Sequence, residues 1–192
     1  MIIGNVNAIT YKEVFPLIME NKLWLGASIH SGDREFRVPD SYPLQSSGWR
    51  IDENGIKYIR VKGVRWFTNL DYAERHENLI LYRQYTPEEY PTYDNYAAIE
   101  VGKTSEIPCD YDGIMGVPIT YMDKHNPDQF EILGMCENLD LYHLKTRVYS
   151  PQECRDRYYE LFGKKGTYDL NAAGVLNGKK VYQRILIRRK GA

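Results

Sequence analysis

No run of apolar residues in the 192-residue sequence approaches the length that a membrane-spanning helix needs, about 18 residues. No secretory signal pattern is visible, so the expected location is the cytoplasm and no membrane partner is expected. Cysteine is scarce: Cys109, Cys136 and Cys154 form no CxxC pair. That argues against a zinc site and a disulfide framework, and leaves buried free thiols as the expectation. There is no GxGxxG, no GxxxxGK[ST], no HExxH and no GxSxG. His30, His76, His125 and His143 are scattered, with no metal spacing among them. Internal repeats and low-complexity segments are also missing. One further absence concerns the start: MIIGNVNAITYKE reads as a buried strand running into a helix, with no glycine-bearing phosphate turn ahead of it. The expectation is a C-terminal piece of a larger fold.

What is there is an ordinary soluble composition, 43% hydrophobic and 27% charged. At 192 residues it can form one domain with a sizeable core, or a core half with an appended region. The net charge of −1 hides an asymmetry: residues 1–70 carry 9 basic and 7 acidic groups, 71–131 carry 4 and 13, and 132–192 carry 12 and 6. The last stretch holds Lys179, Lys180, Arg184, Arg188, Arg189 and Lys190 with no carboxylate among them. A polyanion would meet that end rather than the acidic middle, although a solvated strand end accounts for such a tail equally well.

Along the chain, Thr10 and Glu13 read as a capping box, with Ile9 and Val14 as a staple. Pro16 then falls where it must kink the helix or split off a turn. The helix ends near Asn21–Lys22 and LWLGA follows as a strand, the rhythm of a parallel α/β sheet. Residues 30–55 are rich in Gly, Ser, Pro and Asp and read as a long excursion, functional or mobile. IKYIRVKGVRWFTNL predicts one or two strands with a bend at Gly63, and LILYRQY another. YAAIEV, GVPITYM and FEILGMC are short strand candidates between turn residues. The clearest helix runs from Ser150 as N-cap, through Pro151 and Glu153, to Gly163 as terminator, with Cys154, Tyr158 and Leu161 on one face. Asn177–Gly178 predicts a hairpin into a final strand VYQRILIRR.

Several residues are candidates for chemistry or binding. Trp66, Phe67 and Asn69 stand at the expected end of a strand, where an aromatic beside polar groups can stack on a base; plain core is the competing reading for at least one of the aromatics. Asn5 and Asn7 follow the first strand, where open α/β sheets place ligand loops, or else they are turn formers. Asp110 and Asp112 flank Tyr111; a divalent cation needs more oxygen donors than this segment holds, so no metal is expected there. The seventeen tyrosines suit strands and interaction surfaces alike.

The strings IIGNVNAITYKEVFPLI, KLWLG, SGDREFRVPD, VRWFTNLD, YPTYDNYAAIEV, IPCDYDGIMGVPITYMDKHNPDQFEILG and NGKKVYQRILIRRK, taken in order, resemble the EcoRI-type adenine-specific DNA methyltransferases. Residues 137–173 match that pattern least. The resemblance implies a class I, Rossmann-like methyltransferase fold of α/β class, with this chain supplying later strands of its sheet and a strand-rich appended region. It implies S-adenosylmethionine as methyl donor and N6 of a flipped adenine in double-stranded DNA as acceptor. It also implies a glycine-bearing cofactor turn and an Asn-Pro-Pro-Phe tetrad, and neither occurs in the chain. Asn126-Pro127-Asp128-Gln129-Phe130 departs from the tetrad by Asp128 and the inserted Gln129, so it is rejected. No catalytic residue is therefore carried over, and the chain alone is expected to be incomplete.

Domains are expected over 1–82, the sheet, and 83–192, a mixed α+β region ending in the basic strand. The resemblance implies a base pocket of Asn5, Asn7, Trp66, Phe67 and Asn69, and phosphate contacts from the six basic residues of 179–190. The missing N-terminal half is the expected protein partner, and an uncovered strand edge predicts self-association. Two other readings compete: a non-catalytic nucleic-acid-binding or partner module, and an unrelated small-molecule enzyme built around Asp110, Asp112 and nearby tyrosines.

Overall fold

A computed structural model describes residues 2–28, 32–45 and 48–191; His30 lies outside them. The chain divides into two units, Met1–Arg75 and His76–Ala192.

In the first unit, β1 (Ile2–Asn5) runs straight into a 3-10 turn, Val6–Thr10. The Asn5 side chain caps that turn, accepting from the Asn7 amide at 2.9 Å. The expected capping box at Thr10 does not form, because Thr10 closes the 3-10 turn and its hydroxyl donates to the Asn7 carbonyl. Helix α1 instead covers Phe15–Met19 with Pro16 in its first turn, where a missing N–H costs nothing. Asn21, at φ 55°, ends it in the left-handed region. Strand β2 is Trp24–Leu25.

The segment read as a long excursion contains β3 (Arg34–Arg37) and β4 (Trp49–Ile51), which flank β5 (Lys57–Val61) in an antiparallel sheet of order β3-β5-β4. None of its strand residues is buried, which removes the alternation that would have announced the two outer strands. Gly63, at φ 60°, makes the turn that hands the chain to β6 (Val64–Thr68) in a different sheet.

That sheet has the order β1-β6-β2. Both outer strands run antiparallel to β6, so β1 and β2 are parallel to each other but not neighbours. The strand–helix–strand rhythm was legible, whereas the direct parallel pairing it suggested is replaced by insertion of β6. Among the described residues, Ile9, Phe15, Ile18, Leu25, Val64 and Phe67 are the buried apolar ones of this unit.

The second unit is built on β7 (Ala98–Glu100), β8 (Ile114–Pro118) and β9 (Phe130–Met135). Helix α2 (Pro151–Phe162), a hairpin of β10 (Val175–Leu176) and β11 (Lys179–Lys180), and β12 (Arg184–Arg189) follow. The sheet order is β7-β8-β12-β9, with β7 parallel to β8 and β12 antiparallel to both flanking strands. The architecture is thus α/β with a mixed sheet. Among the described residues, β7 and β8 are the one directly paired set of parallel strands.

No strand forms over LILYRQY. Ile80 is 90% exposed, and the Leu79 backbone is bonded by the Gln129 side chain, which donates to its carbonyl and accepts from its amide. One side-chain amide thereby takes the place of a neighbouring strand. Asn177 and Gly178 both have positive φ, as a tight hairpin turn requires. The turn joins β10 to β11, however, and β12 begins only at Arg184. Buried Asn95 anchors the hairpin, donating to the Ala173 carbonyl and accepting from the Val175 amide at 2.8 Å.

Helix α2 follows its local signals throughout. Ser150 accepts from the Glu153 amide, Glu153 accepts in return from the Ser150 amide, and Gly163 ends the helix at φ 65°. Cys154 is buried, with Tyr158 and Leu161 half-buried on its side. The Ser150 backbone amide, the Arg147 guanidinium and the Ser150 hydroxyl hold the Glu153 carboxyl down at about 2, from 4.5. Because the folded value is depressed, the stabilisation is complete above the unfolded value and is lost as pH falls from about 4.5 towards 2. An NMR titration of the Glu153 carboxyl is expected to give a midpoint near 2, and Ser150→Ala to raise it. A midpoint near 4.5 would show that the box is open in solution.

Candidate nucleic-acid interface

The first candidate group lies on the β1-β6-β2 sheet. Asn5 sits opposite Val64, and Ile3 opposite Trp66. Directly paired residues share a face, so Trp66 is a diagonal neighbour of Asn5 on one side of the sheet. Phe67 points to the other side and is buried, with its ring close to where a Cβ on Gly4 would stand, 3.1 Å. Asn69 is exposed beyond the far end of β6. Thr68, its predecessor, is four residues along the strand from Val64, roughly 14 Å. The structure therefore brings Asn5 and Trp66 to one face, with Asn7 just past the strand end. It does not bring Phe67 or Asn69 to them.

The roles of these side chains also differ. Asn5 is used up locally, since its amide donates to the Lys62 carbonyl at 2.6 Å while its oxygen caps the 3-10 turn. Asn7 is exposed and Trp66 half-buried. Of the residues gathered at this end of the sheet, Asn7 and Trp66 have surface left for a ligand, while Asn69 is exposed at the far end of β6.

The second group is the basic end of the chain, and here the acidic middle is its partner. Arg184 is buried and holds Glu100 through two guanidinium nitrogens, at 3.0 and 2.5 Å. Arg188 meets Glu131 at 2.6 Å. Arg189 meets Asp112 at 2.7 Å and also donates to the Cys109 carbonyl. Three of the six basic residues expected on DNA are thus neutralised within the fold, and burial removes Arg184 from any phosphate. Lys179 and Lys190 are exposed, and Lys180 is half-buried with its ammonium 5.1 Å from the Tyr168 ring centre. These ion pairs join residues 57 to 84 apart in sequence, so no local signal announced them.

The remaining candidates resolve into structure. Asp110 accepts from the Tyr85 amide at 2.7 Å while Asp112 pairs with Arg189, so the two carboxylates have different partners. Asn126 is fully buried, donating to the His76 carbonyl and to Asn78 and accepting from the Asp128 amide. Its amide is committed on both ends, as expected of a turn asparagine rather than a base reader. His76 contacts Asp128 at 2.5 Å, His125 meets the Tyr121 hydroxyl at 3.0 Å, and His143 sits in a turn at φ 56°. Burial pushes the Cys136 thiol up to about 12, which makes it inert at neutral pH. Lys145 was not singled out from sequence, yet its ammonium donates to the carbonyls of Glu137, Asn138 and Asn171.

Comparison with known proteins places these features in a family. The family described as adenine-specific methyltransferase EcoRI matches residues 1–190. The chain is 51% identical over 142 residues to the type II methyltransferase M.EcoRI of Escherichia coli, covering 73% of this chain and 44% of that protein. It is 35% identical over 155 residues to the type II methyltransferase M.MpnI of Mycoplasma pneumoniae, covering 78% of this chain and 48% of that one. With M.MgeORF184P of Mycoplasma genitalium the identity is 30% over 201 residues, 99% of this chain and 56% of the relative. The chain thus spans about half the length of the curated relatives it matches. No solved structure matches it. With nearly its whole length inside the family match, the chain belongs to the EcoRI family of adenine-specific methyltransferases.

Proposed function

We propose that this chain is part of a type II DNA methyltransferase that moves a methyl group from S-adenosylmethionine to N6 of an adenine flipped out of double-stranded DNA. The observation that carries the reading is the family match over residues 1–190, together with curated relatives that are type II methyltransferases. In such a reaction the exocyclic amine needs acceptors that hold its lone pair towards the methyl, and the extruded base needs a flat side chain to stack on. The half-buried Trp66 and the exposed Asn7 are the residues assigned to the base side. Asn5 is a positioning residue that fixes the turn carrying Asn7.

The residues present do not fit the cofactor. Among the described residues, no glycine-bearing turn joins a strand to an α-helix as a nucleotide cradle requires, and the Asn5 amide is already committed at both ends. The Asn-Pro-Pro-Phe tetrad is also missing from the sequence. No step is therefore routed through the cofactor here, and the chain by itself is expected to be inactive.

The test is methyl incorporation into adenine-containing duplex DNA, measured with the chain alone and with a polypeptide in which a cofactor turn and tetrad precede it. Transfer only by the longer protein is the expected result. Transfer, or tight S-adenosylmethionine binding, by the 192 residues alone would overturn the assignment of the chemistry to other residues. In the longer protein, Trp66→Ala should lower methyl transfer about tenfold or more, in line with the loss of a base–aromatic stack worth roughly 1–3 kcal/mol. Unchanged turnover would remove Trp66 from the base pocket.

A further inference from the structure

Residues 161–192 hold Lys164, Lys165, Lys179, Lys180, Arg184, Arg188, Arg189 and Lys190 against the single carboxylate of Asp169. The three arginines are neutralised by Glu100, Glu131 and Asp112. Among the described residues, Lys164, Lys165, Lys179, Lys180 and Lys190 of this stretch form no ion pair, and four of these five lie ahead of β12 rather than beside it.

Packing of aromatic rings ties together the two short segments that carry these four lysines. The Phe162 ring, in the last turn of α2, lies 4.7 Å from Tyr158 and 6.3 Å from Tyr168. Tyr168 in turn carries the Lys180 ammonium over its face, and its hydroxyl accepts from the Lys180 amide at 3.1 Å. The end of α2, with Lys164 and Lys165 just beyond it, is thereby tied to the β10–β11 hairpin that carries Lys179 and Lys180. Beside this junction opens a cleft of about 680 Å³ lined by Tyr168, Lys180, Tyr182 and Gln183. Tyr182 is 85% exposed there, an aromatic ring left in water. Cations at the end of a helix also suit its dipole, and that accounts for Lys164 and Lys165 singly. It does not account for two more unpaired lysines on the hairpin.

We propose that Lys164, Lys165, Lys179 and Lys180 form the phosphate track of this chain, holding the backbone of duplex DNA along the Tyr168–Tyr182 cleft. The proposal rests on the reading of DNA as substrate and adds where the duplex lies. Phosphate contacts position a duplex without reading its sequence, so this track supplies affinity and register, while base discrimination comes from other surfaces.

The test measures binding of the 192-residue chain to a fluorescent duplex by anisotropy over about 50–200 mM salt. Each phosphate contact adds about 0.9 to the slope of log K against log salt. Converting all four lysines to glutamine is expected to reduce that slope by about 3–4, and to weaken binding by the same factor for every duplex sequence tried. Arg188→Gln, whose cation is neutralised by Glu131, should change the slope by less than any single lysine replacement. All five positions are at or near the surface, and an unchanged thermal melt confirms that the variants fold. An unchanged slope in the quadruple variant overturns the track while leaving DNA as the substrate. A larger effect from Arg188→Gln overturns it in favour of β12. No binding by the unmodified chain also overturns it, and the methyl-transfer assay then decides the functional reading separately.

Discussion

Glu100→Ala is expected to lower the unfolding free energy by about 3–5 kcal/mol, the cost of leaving one partner of a buried ion pair alone. The Glu100 and Arg184 side chains are only 13% and 11% exposed, so water cannot take over the released guanidinium. Glu100 also accepts from the Tyr93 hydroxyl, which raises the Tyr93 pKa further than burial alone and leaves a second orphan when the carboxylate is removed. Urea unfolding of the parent and variant measures the loss. The double replacement Glu100→Leu with Arg184→Met is expected to recover most of it, because two apolar chains of similar size carry no desolvation cost. A loss below about 1 kcal/mol for Glu100→Ala would place the pair in the solvent-screened class instead.

Gly116→Ala is expected to cost about 1–3 kcal/mol, and Gly116→Val enough to prevent folding. Gly116 lies in β8 between Glu100 of β7 and Leu186 of β12, inside the sheet of the second unit. A Cβ there would meet the Tyr93 ring, 2.8 Å from Cε2 and against the hydroxyl. The ring cannot retreat, since on its other edge it lies where a Cβ on Gly174 would be, at 2.7 Å, and its hydroxyl is bound to Glu100. Tyr93 is therefore sandwiched between two glycines. Combining Gly116→Ala with Tyr93→Phe should recover part of the loss, because the deleted hydroxyl is the nearest atom. A purely additive double variant in a thermodynamic cycle would show that the clash is relieved elsewhere.

What the sequence made legible follows the range of each interaction. Helix α2 was readable from end to end because Ser150, Pro151 and Glu153 at its start and Gly163 at its end each act within a turn of the terminus they fix. The hairpin turn at Asn177–Gly178 was readable for the same reason, whereas the helix expected from Thr10 begins only at Phe15, so Pro16 falls in its first turn. Strands β3 and β4 were not, since an unburied sheet leaves no hydrophobic alternation to find. The insertion of β6 between β1 and β2 was hidden because pairing across 40 or more residues has no local mark. Within the candidate site, the family resemblance pointed to Trp66 and Asn7, but the face shared by Trp66 and Asn5 depends on register. The neutralisation of β12 by Glu100, Glu131 and Asp112 was equally out of reach, and it moves the free positive charge onto lysines.

The position of β12 has a kinetic consequence. It lies between β8 and β9 and pairs with both, while those two do not pair with each other. Until β12 arrives, β8 and β9 each have an open edge and the core residues between them face water. Closing such distant segments carries a large loop entropy before any contact repays it. The second unit should therefore fold slowly in a single late step, and substitutions in β12 should slow folding itself rather than hasten unfolding.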